Sequence, residues 1–296
     1  MALTVNESLY MNPLLTIAVE AAREAGQVIL RHAQRMDRIK VSEKARNDLV
    51  TDVDRMAENC IIGTIQEAYP THDILAEESG TLMAGDTADR IRWIIDPLDG
   101  TTNFIHSIPI YSVSIAIEVV GKISHAVVFD PNRNELFTAS RGKGAYCDGR
   151  RIRVSKTQRL GQAVLATGFP YSEMDNLSPW MRSFQAILPR ARGVRRAGSA
   201  ALDLAYVASG RYDGFWELGL KPWDIAAGLL LVREAGGLVS DNDGTQNSLE
   251  NGHVIASNYN LRDRFFGVIN SHCNSDKLLA RRLEKTNEKS KKGTNS

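Results

Sequence analysis

Along the N-terminal part of the chain, apolar residues recur at three- and four-residue steps. In NPLLTIAVEAAREAGQVILRHA, Leu14, Ile17, Ala18, Ala21, Ala25, Val28 and Ile29 fall on one helical face. Asn12 is placed to cap this helix, and Pro13 suits its first turn. A second helix is predicted after TDVD, with Met56, Ala57, Cys60, Ile61, Ile65 and Ala68 turned inward and Pro70 marking its end. Then the period changes. DILA and RWIID read as short strands, followed by the strand-like runs YSVSIAIEVV, ISHAVVFD, NELFTAS and AYCDGRRIRV. The connecting GK, PNRN and RGKG suit tight turns, so this half reads as a largely antiparallel meander covered by helices.

The remaining half alternates. AVLATGF, YDGFWEL, GLVSD and HVIASN read as strands. SPWMRSFQAIL, GSAALDLAYVASG, WDIAAGLLLVREAGG and LRDRFFGVINSH read as helices, with Ser199 capping the second and Gly210 stopping it. Neither an internal repeat nor a linker-like stretch separates the halves. The expectation is a single catalytic unit over residues 8–283, with helices and an antiparallel sheet over about 8–150 and an α/β half over about 151–283. EKTNEKSKKGTNS, polar and lysine-rich, predicts a disordered tail at 284–296.

Composition adds exclusions. With 43% hydrophobic and 24% charged residues, the chain is an ordinary globular one with ample apolar material for a core. The 36 basic and 35 acidic residues nearly cancel, so net charge calls for neither nucleic acid nor an anionic membrane. No apolar run reaches membrane-spanning length, and the N-terminus lacks the basic and apolar regions of a signal peptide. Cys60, Cys147 and Cys273 are far apart and odd in number, which predicts reduced thiols in a cytoplasmic protein. The scattered histidines argue against zinc.

Four acidic residues stand at the ends of predicted elements. Glu77 follows DILA, Asp96 ends RWIID, Asp99 follows within a turn, and Asp224 opens a strong helix in PWD. Pro97 keeps Asp96 extended, and Gly100 lets the backbone turn close to a ligand. Thr101 and Thr102 can open a helix whose free N–H groups favour an anion. Carboxylates beside an anion site repel it unless a cation intervenes, and Mg²⁺ prefers oxygen ligands shared between carboxylates and phosphate. Singly, each residue has a plainer reading. Asp224 can cap its helix, Asp54 can complete a capping pattern with Thr51, Glu77 can be a solvated loop charge, and Asp99–Gly100 can be a turn. The spacing in DPLDGTT is hard to explain as turn chemistry alone.

WIIDPLDGTTNF and PWDIAAGLLLVREAGG resemble the two signatures of the inositol monophosphatase family, in particular its bacterial branch. AEESG, DLVTDVD and GSAALDLAYVASGRYDGFWELGL match as well, so the resemblance covers the chain up to its tail. It implies a layered αβαβα sandwich, an α+β or α/β fold of the inositol monophosphatase and fructose-1,6-bisphosphatase type. It implies a Mg²⁺-dependent phosphomonoesterase with two or three ions per site, inhibited by Li⁺ and acting on inositol monophosphate or a similar polyol phosphate. Relatives act on fructose bisphosphate, histidinol phosphate and adenosine bisphosphate.

By position, the resemblance assigns Glu77, Asp96, Asp99, Asp224 and the Leu98 carbonyl to the metals, with Asp96 bridging two. Thr101, oriented by Asp54, would help activate the water together with metal-bound Glu77. Gly100 and Thr101 would receive the phosphate, Gly198, Ser199, Ala200 and Glu217 the polyol hydroxyls, and Lys44 would cover the site. The family also implies a homodimer. A second role, binding RNA or the transcription machinery, is suggested by bacterial relatives; Arg192, Arg195 and Arg196 in RGVRRAG and the lysine-rich tail are its candidate features. The plainer readings, a dimer-contact loop and a solvated tail, are preferred here.

Overall fold

The computed structural model describes residues 12–35, 39, 41–45, 48–83, 90–171 and 173–273, and the side chains of 43–45, 48 and 49 lie outside that set. The first helix, α1 (Pro13–Ala33), starts where Asn12 accepts the Leu14 N–H at 2.9 Å. Its buried row is Leu15, Ala18, Ala22, Ala25 and Ile29, flanked by Val19 and Ala21. The expected face is therefore turned slightly: Leu14, Ile17 and Val28 sit on its margin, while the alanines let α1 lie close to its neighbours. A hairpin the apolar pattern did not announce follows, β1 (Val41–Ala45) paired with β2 (Asp48–Thr51).

The second helix, α2 (Asp52–Ala68), begins inside TDVD rather than after it. Thr51 Oγ1 accepts the Val53 and Asp54 N–H groups while the Asp54 carboxylate accepts the Thr51 N–H, a reciprocal cap that fixes the start one residue after Thr51. Val53, Ala57, Ile61, Ile62 and Ile65 are buried, and so are two acids, Asp54 and Glu58. Met56 and Ala68, expected inward, are exposed, and Cys60 is partly so, because the buried row runs through 54, 58, 61 and 65.

Next come β3 (Asp73–Ala76), β4 (Gly80–Leu82), β5 (Ile91–Asp99), the short α3 (Thr101–Ile105), β6 (Ser112–Val119), β7 (Lys122–Asp130), β8 (Glu135–Ser140), β9 (Gly144–Cys147) and β10 (Arg150–Arg151). They build an eight-stranded sheet in the order β10-β9-β8-β7-β6-β5-β3-β4. The run from β5 to β10 is the expected antiparallel meander, and β3 joins β5 in parallel. AYCDGRRIRV is two short strands, because Asp148 and Gly149 both take positive φ and turn the chain back.

The second half supplies β11 (Val164–Thr167), α4 (Leu177–Ile187), β12 (Gly193–Arg195), α5 (Ala200–Ala208), β13 (Gly214–Glu217), α6 (Pro222–Glu234), β14 (Leu238–Ser240), α7 (Ser248–Asn251), β15 (Val254–Ser257) and α8 (Arg262–Cys273). Its sheet runs β12-β11-β13-β15-β14. RGVRRAG thus forms the edge strand β12, parallel to β11, and not a loop.

Three apolar cores separate five layers. Ile29 and Ile61 of α1 and α2 pack on Trp93 and Ile115 of the first sheet. Helices α5 and α6 fill the space between the sheets, with Leu204 and Leu230 among Phe137 and Phe215. Helices α4 and α8 close the far side through Trp180, Phe265 and Ile269 against Trp216. Sandwiched this way, α6 is buried from Ile225 through Val232 without a polar face. The result is the expected αβαβα order. Among the described residues no helix is long and apolar enough to cross a membrane. Replacing the fully buried Ile61 by Ala is expected to destabilise the protein by about 2–5 kcal/mol, read from urea denaturation. A change near zero would contradict its place between α2 and the first sheet.

Candidate active site

The layers converge on one point. The end of β5, the start of α6, the start of α5 and the end of β13 carry most of the expected site residues, while Asp54, Glu77, Thr101 and Lys44 come from α2, the loop after β3, α3 and β1. The first determinant is an irregularity in β5. Opposite β6, Asp96 pairs with Ser114 and Asp99 with Ser112, so β5 takes three steps where β6 takes two. The extra residue falls at Pro97 and Leu98, and Pro97 has no N–H to give to the ladder. In a regular strand, side chains three apart point to opposite faces. The bulge restores a common side for Asp96 and Asp99, and the Asp99 charge acts on Asp96.

Each of these carboxylates is pinned by backbone. Asp96 Oδ1 accepts the Leu98 N–H at 3.0 Å. Asp99 Oδ2 accepts the Ser199 hydroxyl at 2.6 Å and the Ala201 N–H at 2.7 Å, which ties β5 to the first turn of α5. Asp224 Oδ2 accepts the Lys221 N–H at 2.7 Å. Asp224 is therefore the third residue of α6, in a capping pattern with Lys221, and not the cap itself. Glu77 follows β3, and its N–H donates to Ile95 O at 3.2 Å, next to Asp96.

Thr101 opens α3. Its hydroxyl lies 2.8 Å from Asp54 Oδ1 and 3.1 Å from the Leu98 carbonyl. Asp54 Oδ2 accepts both the N–H and the hydroxyl of Thr51. Gly100 takes φ +104°, and a Cβ there would stand 2.9 Å from Ile110 O and 3.2 Å from Gly198 O, so only glycine fits this turn. Gly198, Ser199 and Ala200 form the loop and cap of α5 beside it. Glu217 ends β13, partly exposed. Lys44 belongs to β1, and its side chain lies outside the described residues. Arg192, Arg195 and Arg196 are exposed, and the lysine-rich tail is outside the described residues.

Burial and crowding dominate the electrostatics. Asp96 is pushed well above the usual carboxylate range, first by burial, then by Glu77, Asp99 and Asp224. Burial lifts Asp99 to about 6, against hydrogen bonds from Ser199, Ala201 and Ala200 that pull it down. Asp224 rises through burial and the neighbouring Asp99, Glu77 and Glu217. Asp54 is raised by burial, partly offset by Thr51 and Thr101. Glu217 is lifted to about 8 by burial, with Arg196 opposing and Asp99 adding.

This is a negative cluster lacking a counter-charge among its own members. Its donors are all oxygens, the ligand type hard divalent cations take. Among the described residues no three His, Cys, Asp or Glu side chains close into a ready cage for an ion. Mg²⁺ does not need one, since it usually keeps waters and completes its shell with substrate phosphate. The donor set fits Mg²⁺ in kind.

Two supporting residues escaped the sequence reading. Glu58, buried on α2, accepts the Glu78 N–H at 2.8 Å and the Ser79 hydroxyl at 2.5 Å, and so holds the loop that carries Glu77. Its signal was there: an acid one turn after Asp54 on the buried row. Asn103 donates to Ile110 O at 2.7 Å and Ala197 O at 2.8 Å, joining α3 to the loop before α5.

The chain as a whole is similar to known proteins. The Nus factor SuhB of Pseudomonas aeruginosa is 52% identical over 265 residues, covering 88% of this chain and 97% of that protein. The crystal structure of the extragenic suppressor protein suhB from Bartonella henselae superposes with a TM-score of 0.84 at 42% identity, over 87% of this chain and 98% of that one. An inositol monophosphatase from Anabaena gives a TM-score of 0.76 at 39% identity, over 86% and 94%. The sequence profile of the inositol monophosphatase family matches residues 10–277, and the chain belongs to that family.

Proposed function

We propose that the protein is a Mg²⁺-dependent phosphomonoesterase that hydrolyses myo-inositol monophosphate, or a similar small polyol phosphate, to the alcohol and phosphate. The observation that carries this reading is the crowd of carboxylates at the β5 bulge, in a chain of the inositol monophosphatase family. Glu77, Asp96, Asp99, Asp224 and the Leu98 carbonyl would hold two or three ions. Bound Mg²⁺ supplies a water of lowered pKa and neutralises charge on the phosphoryl oxygens.

The chain's own groups do the rest. Thr101 Oγ1 gives its proton toward Asp54 Oδ1, which leaves an oxygen lone pair to accept a hydrogen bond from the attacking water. Thr51 anchors the other oxygen of Asp54, so the acceptor keeps its aim. Glu77, near the same point, assists in orienting that water. The N–H groups of Gly100 and Thr101 receive the phosphate, and Gly198, Ser199, Ala200 and Glu217 hold hydroxyls of the leaving alcohol. Lys44 covers the site, and the enzyme works as a cytoplasmic homodimer.

A second role rests on a different observation. The relatives that match at about half identity carry the name Nus factor, and Arg192 and Arg195 flank and belong to an exposed edge strand. We propose that this edge meets RNA or a protein of the transcription machinery. Arg192→Ala with Arg195→Ala is expected to weaken RNA binding and flatten its salt dependence, as lost phosphate contacts require. Binding that ignores salt would remove the RNA part of this role.

Asp96→Asn is expected to lower kcat on inositol 1-phosphate by on the order of 10²–10³-fold with the fold retained. An active Asp96→Asn enzyme in excess Mg²⁺ would sink the metal assignment. Phosphate release is expected to stop in chelator and to be inhibited by Li⁺. A screen that includes fructose bisphosphate, histidinol phosphate and adenosine bisphosphate tests the substrate class.

The raised carboxylates also predict a pH dependence. Without metal, the folded state keeps protons on Asp96, Asp99 and Asp224 that the unfolded chain sheds above about pH 4. Their contribution to stability therefore falls as pH rises above the ordinary carboxylate range, through about 6 for Asp99. Mg²⁺ competes with those protons, so the rise in Tm on adding it is expected to be larger at about pH 7.5 than at about pH 5. Equal shifts at both would contradict a carboxylate metal site.

A further inference from the structure

Glu58 is 1% exposed, an acid set in the buried row of α2. A buried carboxylate needs donors, and both of its oxygens find them in one place. Oε2 accepts the Glu78 N–H at 2.8 Å, and Oε1 accepts the Ser79 hydroxyl at 2.5 Å. Glu77, Glu78 and Ser79 make the three-residue turn between β3 and β4, closed by the pair Ala76 and Gly80, with Gly80 at φ +71°. The sheet gives this turn little support, because β4 is three residues long and lies at the sheet's edge.

Glu77 is therefore tied from both sides. Before it, Ala76 pairs in parallel with Ile95, and the Glu77 N–H itself donates to Ile95 O. After it, the next two residues are bound to Glu58. The first tie sets Glu77 beside Asp96, and the second fixes how the chain leaves it. Asp54, whose Oδ1 meets the Thr101 hydroxyl, stands one helical turn before Glu58 on the same buried row. One rigid helix thus carries two anchors, Asp54 for Thr101 and Glu58 for the turn of Glu77. An apolar residue at 58 would suit the row, but it would leave the Glu78 N–H and the Ser79 hydroxyl without this acceptor.

Resting on the reading that Glu77 is a metal ligand, we propose that Glu58 is a positioning residue for the metal site. It holds the 77–79 turn, so that the Glu77 carboxylate is presented at a spacing from the Thr101–Asp54 pair that α2 sets. Glu58 touches neither substrate nor ion and acts through Glu77. Groups that orient a metal ligand from behind govern metal affinity by about 10–100-fold. A glutamate that only completes the packing of α2 would leave metal affinity unchanged in the folded protein, and this separates the two roles.

The test is metal binding by the full chain, read without turnover from the loss of the free Mn²⁺ resonance signal, beside the Mg²⁺ dependence of phosphate release from inositol 1-phosphate. Glu58→Ala is expected to weaken Mn²⁺ binding and raise the Mg²⁺ requirement about tenfold, with kcat at saturating Mg²⁺ within about twofold of wild type. Glu58→Gln keeps an oxygen for the Glu78 N–H and can offer its amide to the Ser79 oxygen, so it is expected to bind metal like the wild type. Ser79→Ala, at an exposed position, removes one of the two bonds and is expected to weaken metal binding about threefold; it decides the matter if Glu58→Ala does not fold. Without metal, amide hydrogen exchange over 77–82 is expected to be faster in Glu58→Ala and Ser79→Ala than in Glu58→Gln or wild type. Wild-type metal affinity in Glu58→Ala or Ser79→Ala overturns the proposal, as does Glu58→Gln impaired as much as Glu58→Ala. Glu77→Gln separates this from the reading beneath it. If Glu77→Gln loses metal while Glu58→Ala does not, only the role of Glu58 fails; if Glu77→Gln also binds as wild type, Glu77 is not a ligand and both fail.

Discussion

Mutual repulsion among buried and half-buried carboxylates is the constraint on which the rest of the molecule depends. Asp96, Asp99 and Asp224 come from two elements in different layers, and Glu77 from a third. Left to themselves in a low-dielectric setting they would hold protons or move apart. The fold prevents the second. Asp99 is tied to α5 by Ser199 and Ala201, Asp224 to the first turn of α6, and Glu77 is carried by a loop clamped to Glu58. Helix α6, apolar on every side, cannot shift without opening both sheets. The stability of three cores thus holds an arrangement of charge that is unfavourable without a cation.

That division explains which parts of the molecule were legible in the sequence. Elements with one buried face, such as α1 and the meander from β5 to β10, announce themselves through periodicity. The hairpin of β1 and β2 did not, because VSEKA and DLVT carry too few apolar positions to show a period. Met56 and Ala68 are apolar yet exposed because the buried row of α2 passes through Glu58, whose burial depends on the distant Glu78 N–H and Ser79 hydroxyl. AYCDGRRIRV concealed its turn in a dipeptide, Asp148–Gly149, that only positive φ makes decisive.

The site was legible to a different depth. Asp96, Pro97, Asp99 and Gly100 lie within one short stretch, so their chemistry could be read locally and then placed by family resemblance. Their common orientation could not, since it depends on the register of β6 opposite the bulge.

The central claim is that the β5 bulge assembles a divalent-metal site. The most direct measurement is an anomalous difference map from crystals grown with Mn²⁺ and phosphate. The account predicts peaks between Glu77, Asp96, Asp99, Asp224 and the Leu98 carbonyl, with Asp96 between two of them and phosphate near Gly100. Metal bound elsewhere, with those carboxylates empty at full occupancy of phosphate, would contradict it.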